Sequence, residues 1–291
     1  MDDMQEICVA HLVRARNGLK PFLGFLESYA ANNGGKEHDL LIIYKGFSGK
    51  RAVAEYERSL NGLPHESIFV RDTGFDIKPY FIAAKSFDHR YFCFLNSFSV
   101  LQDRDWLLKM HRCISQSGVG LVGATGSYQS PYNDYLYYLD HLDKNNSRIP
   151  LYARIGYSLK IEKLLLKILR HYYHPFPNFH LRTNAYMIPR ALMLKIRRGP
   201  VRFKFEAYRF ESGKDSLTRQ IMGMGLRVLV VGKDGTGYEM EDWCRSKTFW
   251  RDGQQNLLIS DNQTRHYSEG DEETRKWLFR HAWGKESVSD R

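Results

Sequence analysis

The chain has little that would tie it to an oxidising compartment or a bilayer. Its four cysteines (Cys8, Cys93, Cys113 and Cys244) lie far apart and show no metal-ligand spacing. That pattern argues against a disulfide framework or a zinc cluster and reads as reduced thiols in a cytoplasmic protein. No apolar run approaches the roughly 20 residues that a membrane span needs. The N-terminus, MDDMQEICVA, is acidic and lacks the basic region of a secretory signal. There is no internal repeat, no RNA-binding signature, no block of Lys and Arg, and no linker long enough to separate independent domains. The loop Gly123-Ala124-Thr125-Gly126-Ser127 lacks the Gly-Lys-Ser/Thr ending of a phosphate loop, and reads instead as a tight turn lining a cleft.

What is present is a chain of 291 residues, 43% hydrophobic and 14% aromatic, long enough for one large core. Lys and Arg exceed Asp and Glu by 43 to 33, a net charge of +10. That surplus favours an anionic partner: a nucleotide diphosphate, a membrane surface or nucleic acid. A solvated basic surface is the plainer reading.

Residues 7–125 alternate between apolar strands and amphipathic helices. Ile7–Val13, Asp39–Tyr44, Ser67–Arg71, Tyr91–Leu95 and Val119–Gly123 read as strands. Pro21–Asn32, Ala52–Leu60, Pro79–Phe87 and Arg104–Ser117 read as the helices between them. Strands that are apolar throughout predict a parallel sheet covered on both faces, with ligands at the strands' carboxyl ends. Residues 128–179 break the rhythm. A tyrosine-rich loop is followed by a basic amphipathic helix over Lys160–Tyr173, which fits either the core or an anionic membrane surface. Beyond it, Thr183–Ile188 and Arg227–Val231 predict strands, and Pro189–Ile196 predicts a helix. An acid-bearing loop over Phe205–Asp215 leads to a helix at Ser216–Met224, and a last helix lies near Glu272–His281.

Two stretches carry a family resemblance. In YFCFLNSFSVLQDRDW, a buried strand stops at Asn96-Ser97-Phe98 before a helix that opens near Asp103. In ESGKDSLTRQIMGMGLRVLVV, an acid-bearing stretch leads into a helix, Gly225 follows Leu217 by eight residues, and a strand follows. Their order and spacing resemble nucleotide-sugar glycosyltransferases of the GT-A fold, family-two-like, and are similar to the bacterial rhamnan-synthesis and capsular-polysaccharide enzymes. The resemblance covers most of residues 7–125 and 183–232. It implies an α/β chain with a Rossmann-like, mostly parallel sheet, helices on both faces and an inserted helical, aromatic acceptor segment. It implies one domain over 1–291: a nucleotide-sugar half (1–127), an insertion (128–179), an acceptor and catalytic half (180–232) and a tail (233–291).

The implied activity is transfer of a sugar from a UDP-, dTDP- or GDP-linked donor to a glycan hydroxyl in surface polysaccharide synthesis. Inversion is expected because the Leu217 block looks like the inverting type. Such a reaction needs one carboxylate as base for the acceptor hydroxyl, and the candidates are Glu211 and Asp215. Asp215 has an alternative role at the start of the following helix. The donor-side candidates are His11, Leu12 and Arg14 at the end of the first strand, Lys45 after the second, and Asp72, Asp76 and Lys78 around a turn. Asn96 and Ser97 stand where the family carries its metal-binding Asp-x-Asp.

With those acids replaced, three outcomes stay open: metal-free transfer using Arg14, Lys45 or Lys78; magnesium or manganese held weakly, with Asp103 or Asp105 as a displaced ligand; or a catalytically degenerate glycan- or partner-binding protein. Acceptor candidates are Arg182 and Asn184, and in the tail Trp250, Gln254, Asp261 and Asn262. The tail serves equally as a wrapped segment that satisfies buried backbone. His266 reads as a surface residue. A role at the inner membrane face and a nucleic-acid role supported by charge alone complete the rivals; the reading adopted has no nucleic-acid partner.

Overall fold

The computed structural model describes residues 5–142 and 162–284. Its centre is an eight-stranded sheet. Four parallel strands form one half: β1 (Ile7–Arg14), β2 (Asp39–Lys45), β3 (Glu66–Val70) and β4 (Tyr91–Leu95). The short β5 (Val100–Leu101) follows outside it, then β6 (Val119–Gly123), β7 (Gly126–Ser127), β8 (His180–Leu181), β9 (Ala185–Pro189), β10 (Arg227–Val231), β11 (Gly237–Tyr238) and β12 (Ile259–Ser260). The sheet order is β11-β10-β6-β9-β4-β1-β2-β3, with β9 antiparallel between β4 and β6. The chain is thus mixed α/β, its sheet mostly parallel and flanked by helices, as the all-apolar strands predict.

Strand parity explains the two covered faces. Ile7, Val9 and Val13 face one core cluster, and Cys8, Ala10 and Leu12 face the other. Helix α1 (Lys20–Ala31) covers the first face with Phe22 and Phe25, its Pro21 seated in the first turn. The short α2 (Ala54–Ser59) adds Tyr56 there, while α3 (Ile77–Ser86) covers the opposite face with Tyr80, Ala83 and Ala84. Helix α4 (Trp106–Ile114) packs Trp106, Leu107 and Met110 on the first face.

Three expectations change. The tyrosine-rich stretch is no loop: Pro131–Leu142 forms helix α5. Its Tyr and Asn content suggests turns, but Ser130 Oγ accepts from the Asn133 amide and Pro131 opens the helix. The basic helix that follows is described as α6 (Glu162–Tyr172); Lys160 and Ile161 lie outside the described residues. After α7 (Arg190–Met193), the acid-bearing loop is largely helix, α8 (Lys204–Ser212), whose N-terminus is held by the Glu206 carboxylate accepting from the Phe203 amide at 2.9 Å. Helix α9 (Leu217–Gly223) follows, capped by Ser216 and not by Asp215. The polar tail, expected to hold one helix near Glu272–His281, contains helix α10 (Asn262–Glu269) before α11 (Glu272–Trp283). Among the described residues, no helix is long and apolar enough to cross a membrane.

Candidate active site

The C-terminal ends of β1, β2 and β3 open onto a cavity of about 640 Å3. Arg14, Lys45, Lys78, Arg198 and Arg202 line it, against the single carboxylate of Asp72. Arg14, Lys45 and Lys78 reach the cavity because two strands end there and α3 begins there. Arg14 is the last residue of β1, and its guanidinium donates to Asp72 through Nε (2.8 Å) and Nη2 (2.9 Å). Lys45 is the last residue of β2 and only 1% exposed. Its Nζ donates to the Phe75 carbonyl and lies 3.4 Å from Asp72 Oδ1. Burial pulls the Lys45 ammonium below its ordinary pKa, against the opposing pull of Asp76. The fork of Arg14 holds the Asp72 carboxyl below the usual range.

The turn between β3 and α3 closes the cavity. Gly74 there has φ +72, and a Cβ at that point would collide with the Lys78 side chain. This position therefore requires glycine for both space and conformation. Lys78 Nζ donates to Thr73 Oγ1 at 3.1 Å, so α3 presents its N-terminus and a cation to the same space. Asp76 is half-buried within electrostatic reach of Lys45, Arg14 and Glu211. Burial pushes its carboxyl up despite the two cations.

Glu211 stands on α8. Its Oε2 accepts from the Thr183 amide at 2.9 Å and from Thr183 Oγ1 at 2.6 Å. Its Oε1 has no hydrogen bond among the described residues. Asp215, the other acidic candidate, is exposed and paired with Arg209 at 3.2 Å. The two acids are therefore separated: one held at the sheet's rim by Thr183, the other on the surface.

His11 and Leu12 do not reach the rim. Leu12 is buried in the core under the sheet. The odd parity of His11 aims it at α1, where its ring stacks on Phe25 at 3.7 Å between centroids. Among the described residues neither ring nitrogen has a hydrogen-bond partner, and burial lowers the imidazole pKa to about 3.

Asn96 and Ser97 are buried at the end of β4. Asn96 Oδ1 accepts from the Phe98 amide (2.9 Å) and from Ser99 Oγ (3.2 Å), forming a closed side-chain turn. The carbonyl that would bind a hard cation is thus already occupied, and Phe98 supplies no oxygen from its side chain. Asp103 and Asp105 do not replace the missing acids. The chain after β5 runs back along α1 (Asn32 Nδ2 donates to the Leu101 carbonyl), and the Asp105 amide donates to Asn33 O past the helix's far end. Lys109 also neutralises Asp103. The residues at this position do not fit a divalent metal, and among the described residues no cluster of three His, Cys, Asp or Glu could hold one.

The acceptor candidates divide likewise. Arg182 donates to Asp261 at 3.0 Å and to Thr125 Oγ1 at 3.4 Å, with its guanidinium over the Phe249 ring. Thr125 Oγ1 donates in turn to Asn184 Oδ1 at 2.8 Å. The Asn184 side-chain nitrogen is buried with no partner among the described residues. Asp261 also caps α10, accepting from the Gln263 and Thr264 amides. Trp250 is buried, stacked on Phe249, and gives its indole hydrogen to the Gln263 carbonyl. Gln254 spends its amide on Thr264 O and Ser268 Oγ. Those tail side chains hold the fold together, and Asn262 is exposed on the first turn of α10. Sequence reasoning missed Thr183, Arg198 and Arg202. The stretch RRGPVRFK (197–204), with four basic residues in eight, was the available signal for the two arginines.

No protein-family model matches the chain, and no curated protein matches it in sequence. Solved structures do resemble it at low identity. The mannosyltransferase PcManGT of Pyrobaculum calidifontis, in complex with GDP-Man and Mn2+, aligns at 11% identity with a TM-score of 0.48. That alignment covers 85% of this chain and 61% of the mannosyltransferase, so the chain spans less than two thirds of that protein's length. A 4-diphosphocytidyl-2C-methyl-D-erythritol synthase from Anaerococcus prevotii aligns at 12% identity and a TM-score of 0.41, over 79% of this chain and 89% of its own. Glucosyl-3-phosphoglycerate synthase of Mycobacterium tuberculosis, with Mn2+ and UDP, aligns at 11% identity and 0.36, over 65% and 58%.

Proposed function

We propose that this chain is a cytoplasmic GT-A-type glycosyltransferase that moves a sugar from a nucleoside diphosphate to a glycan hydroxyl without a metal ion. The observation that carries the reading is the cavity at the strands' carboxyl ends, with five cations facing one carboxylate. A diphosphate bound there would neutralise that excess and meet the N-terminus of α3. On departure of the nucleoside diphosphate, Arg14, Lys45 and Lys78 would stabilise the developing charge, the task a metal performs where one is bound.

Glu211 is the proposed base. Thr183 fixes one carboxylate oxygen, and the other is available to take the acceptor's proton as the acceptor oxygen attacks the anomeric carbon. Attack opposite the leaving diphosphate would invert that carbon. Arg182 and Asn184 would border the acceptor, Asn184 through its buried side-chain nitrogen, which has no partner among the described residues. The surface-polysaccharide setting, in a bacterium, rests on the sequence resemblance alone. The closed turn at Asn96 favours a second reading, a donor-binding protein that has lost turnover.

One variant separates the two. Glu211→Gln should leave nucleotide binding intact and slow donor-dependent release of nucleoside diphosphate by about 100- to 10,000-fold, the usual contribution of a general base. Full turnover in this variant would remove Glu211 from the chemistry. No turnover in the parent chain, with donor binding retained, would favour the second reading.

A further inference from the structure

Five large apolar side chains stand in water on one region of the surface. Leu164 is 57% exposed on α6, with Ile168 one turn beyond it. Phe203 is 71% exposed at the start of α8, with Phe205 and Tyr208 following. The two groups meet where Tyr172, at the end of α6, packs edge-on against Phe205 at 5.5 Å. A monomer in water gains nothing from such a patch, and large exposed apolar patches mark interaction surfaces.

Its charge selects the partner. Lys163, Lys167 and Arg170 flank Leu164 and Ile168 on the exposed side of α6. Arg202 and Lys204 bracket Phe203 in sequence, and Lys214 is tied to the Arg170 carbonyl at 2.8 Å. The nearby acids are largely engaged. Glu206 accepts from the amides of Arg202 and Phe203, and Asp215 is paired with Arg209. Glu162 opens α6. Aromatic and aliphatic side chains interleaved with cations are what an anionic bilayer surface binds: the rings enter the headgroup boundary and the cations meet lipid phosphates.

We infer that the face formed by α6 and the start of α8 docks on an anionic membrane surface. The same chain segment links that face to the cavity, since Arg198, Pro200, Val201 and Arg202 line the cavity and lead directly into Phe203. Docking would therefore hold the cavity close to the bilayer. The inference does not depend on the proposed transfer chemistry.

Co-sedimentation of the full chain with vesicles tests it. Vesicles of phosphatidylcholine containing about one third phosphatidylglycerol should pull the protein down, and pure phosphatidylcholine vesicles should not. Phe203→Ser combined with Ile168→Ser should weaken binding at least about tenfold, from the lost apolar contact. Each of Lys163→Ala and Lys167→Ala should weaken it about fivefold, and added salt should do the same. All four sites are exposed, so unchanged circular dichroism is expected. Equal binding to both vesicle types, or undiminished binding by the Phe203/Ile168 double variant, would overturn the inference. So would a change in oligomeric state confined to the double variant, which would assign the face to a second copy of this chain.

Discussion

Replacing Lys45 with methionine should weaken binding of a nucleoside diphosphate by about 10- to 100-fold, the scale of one lost charge-assisted hydrogen bond. Methionine keeps the buried stem of this 1%-exposed side chain and removes only the ammonium. The effect is large because Lys45 is the most sheltered cation lining the cavity, where solvent screens a charge least. Its present partners are Phe75 O and Asp72, so a bound diphosphate would join an existing arrangement rather than build one. Arg198→Gln supplies the contrast. Arg198 is a half-buried cavity cation, with its guanidinium 5.9 Å from the Phe81 ring, so its loss should cost severalfold less. Calorimetric titration of both variants with UDP and GDP measures this. Equal affinities in the parent chain and the Lys45 variant would contradict the role given to the cavity.

The second large effect concerns stability in acid. His11 is buried on Phe25, both ring nitrogens without a partner among the described residues, and its pKa falls from 6.5 to about 3 on folding. The folded pKa is the lower one, so between these values the unfolded chain binds a proton that the folded chain refuses. Stability contributed by the neutral imidazole is therefore complete above pH 6.5 and drains away as the pH falls towards 3. The slope is about 1.4 kcal/mol per pH unit, or roughly 2 kcal/mol between pH 6.5 and 5. His11→Leu removes the titrating group and two unsatisfied nitrogens. Denaturant unfolding at the two pH values should show the parent chain losing about 2 kcal/mol more than the variant over that interval. An identical loss in both would place the acid sensitivity elsewhere.

Both effects bear on what the sequence discloses. The buried strands were legible because each is apolar on both sides, a pattern that a sheet covered on two faces imposes. The family resemblance nominated Arg14, Lys45, Asp72 and Lys78; Arg14 and Lys45 close β1 and β2, and Asp72 and Lys78 follow β3. His11 lies three residues before Arg14, and its placement turned on strand parity, which sends it to the α1 face with Ile7, Val9 and Val13. Arg198 and Arg202 come from a loop more than a hundred residues downstream. The basic stretch 197–204 marks them as an anion-facing loop, but only tertiary folding brings that loop to the cavity.

The helices at Pro131–Leu142 and Lys204–Ser212 were hidden for another reason. α8 buries only Phe210 and Ser212, so its sequence carries almost no apolar stripe. Of the two readings that the tail's composition left open, the wrapped segment is the one its hydrogen bonds match. Trp250 and Gln254 have side chains suited to a sugar, but in the folded chain they satisfy the backbone around α10. The turn at Asn96 shows the reverse. Its sequence announced a missing acid pair, and the structure adds that the remaining carbonyl is already bonded to Phe98 and Ser99.

The most direct test is a titration of the purified chain with nucleoside diphosphate sugars in EDTA, repeated with manganese in its place. The cationic cavity predicts saturable binding of at least one donor in EDTA, with an affinity that manganese leaves unchanged. Binding that appears only with manganese, or no binding of any donor under either condition, would contradict it.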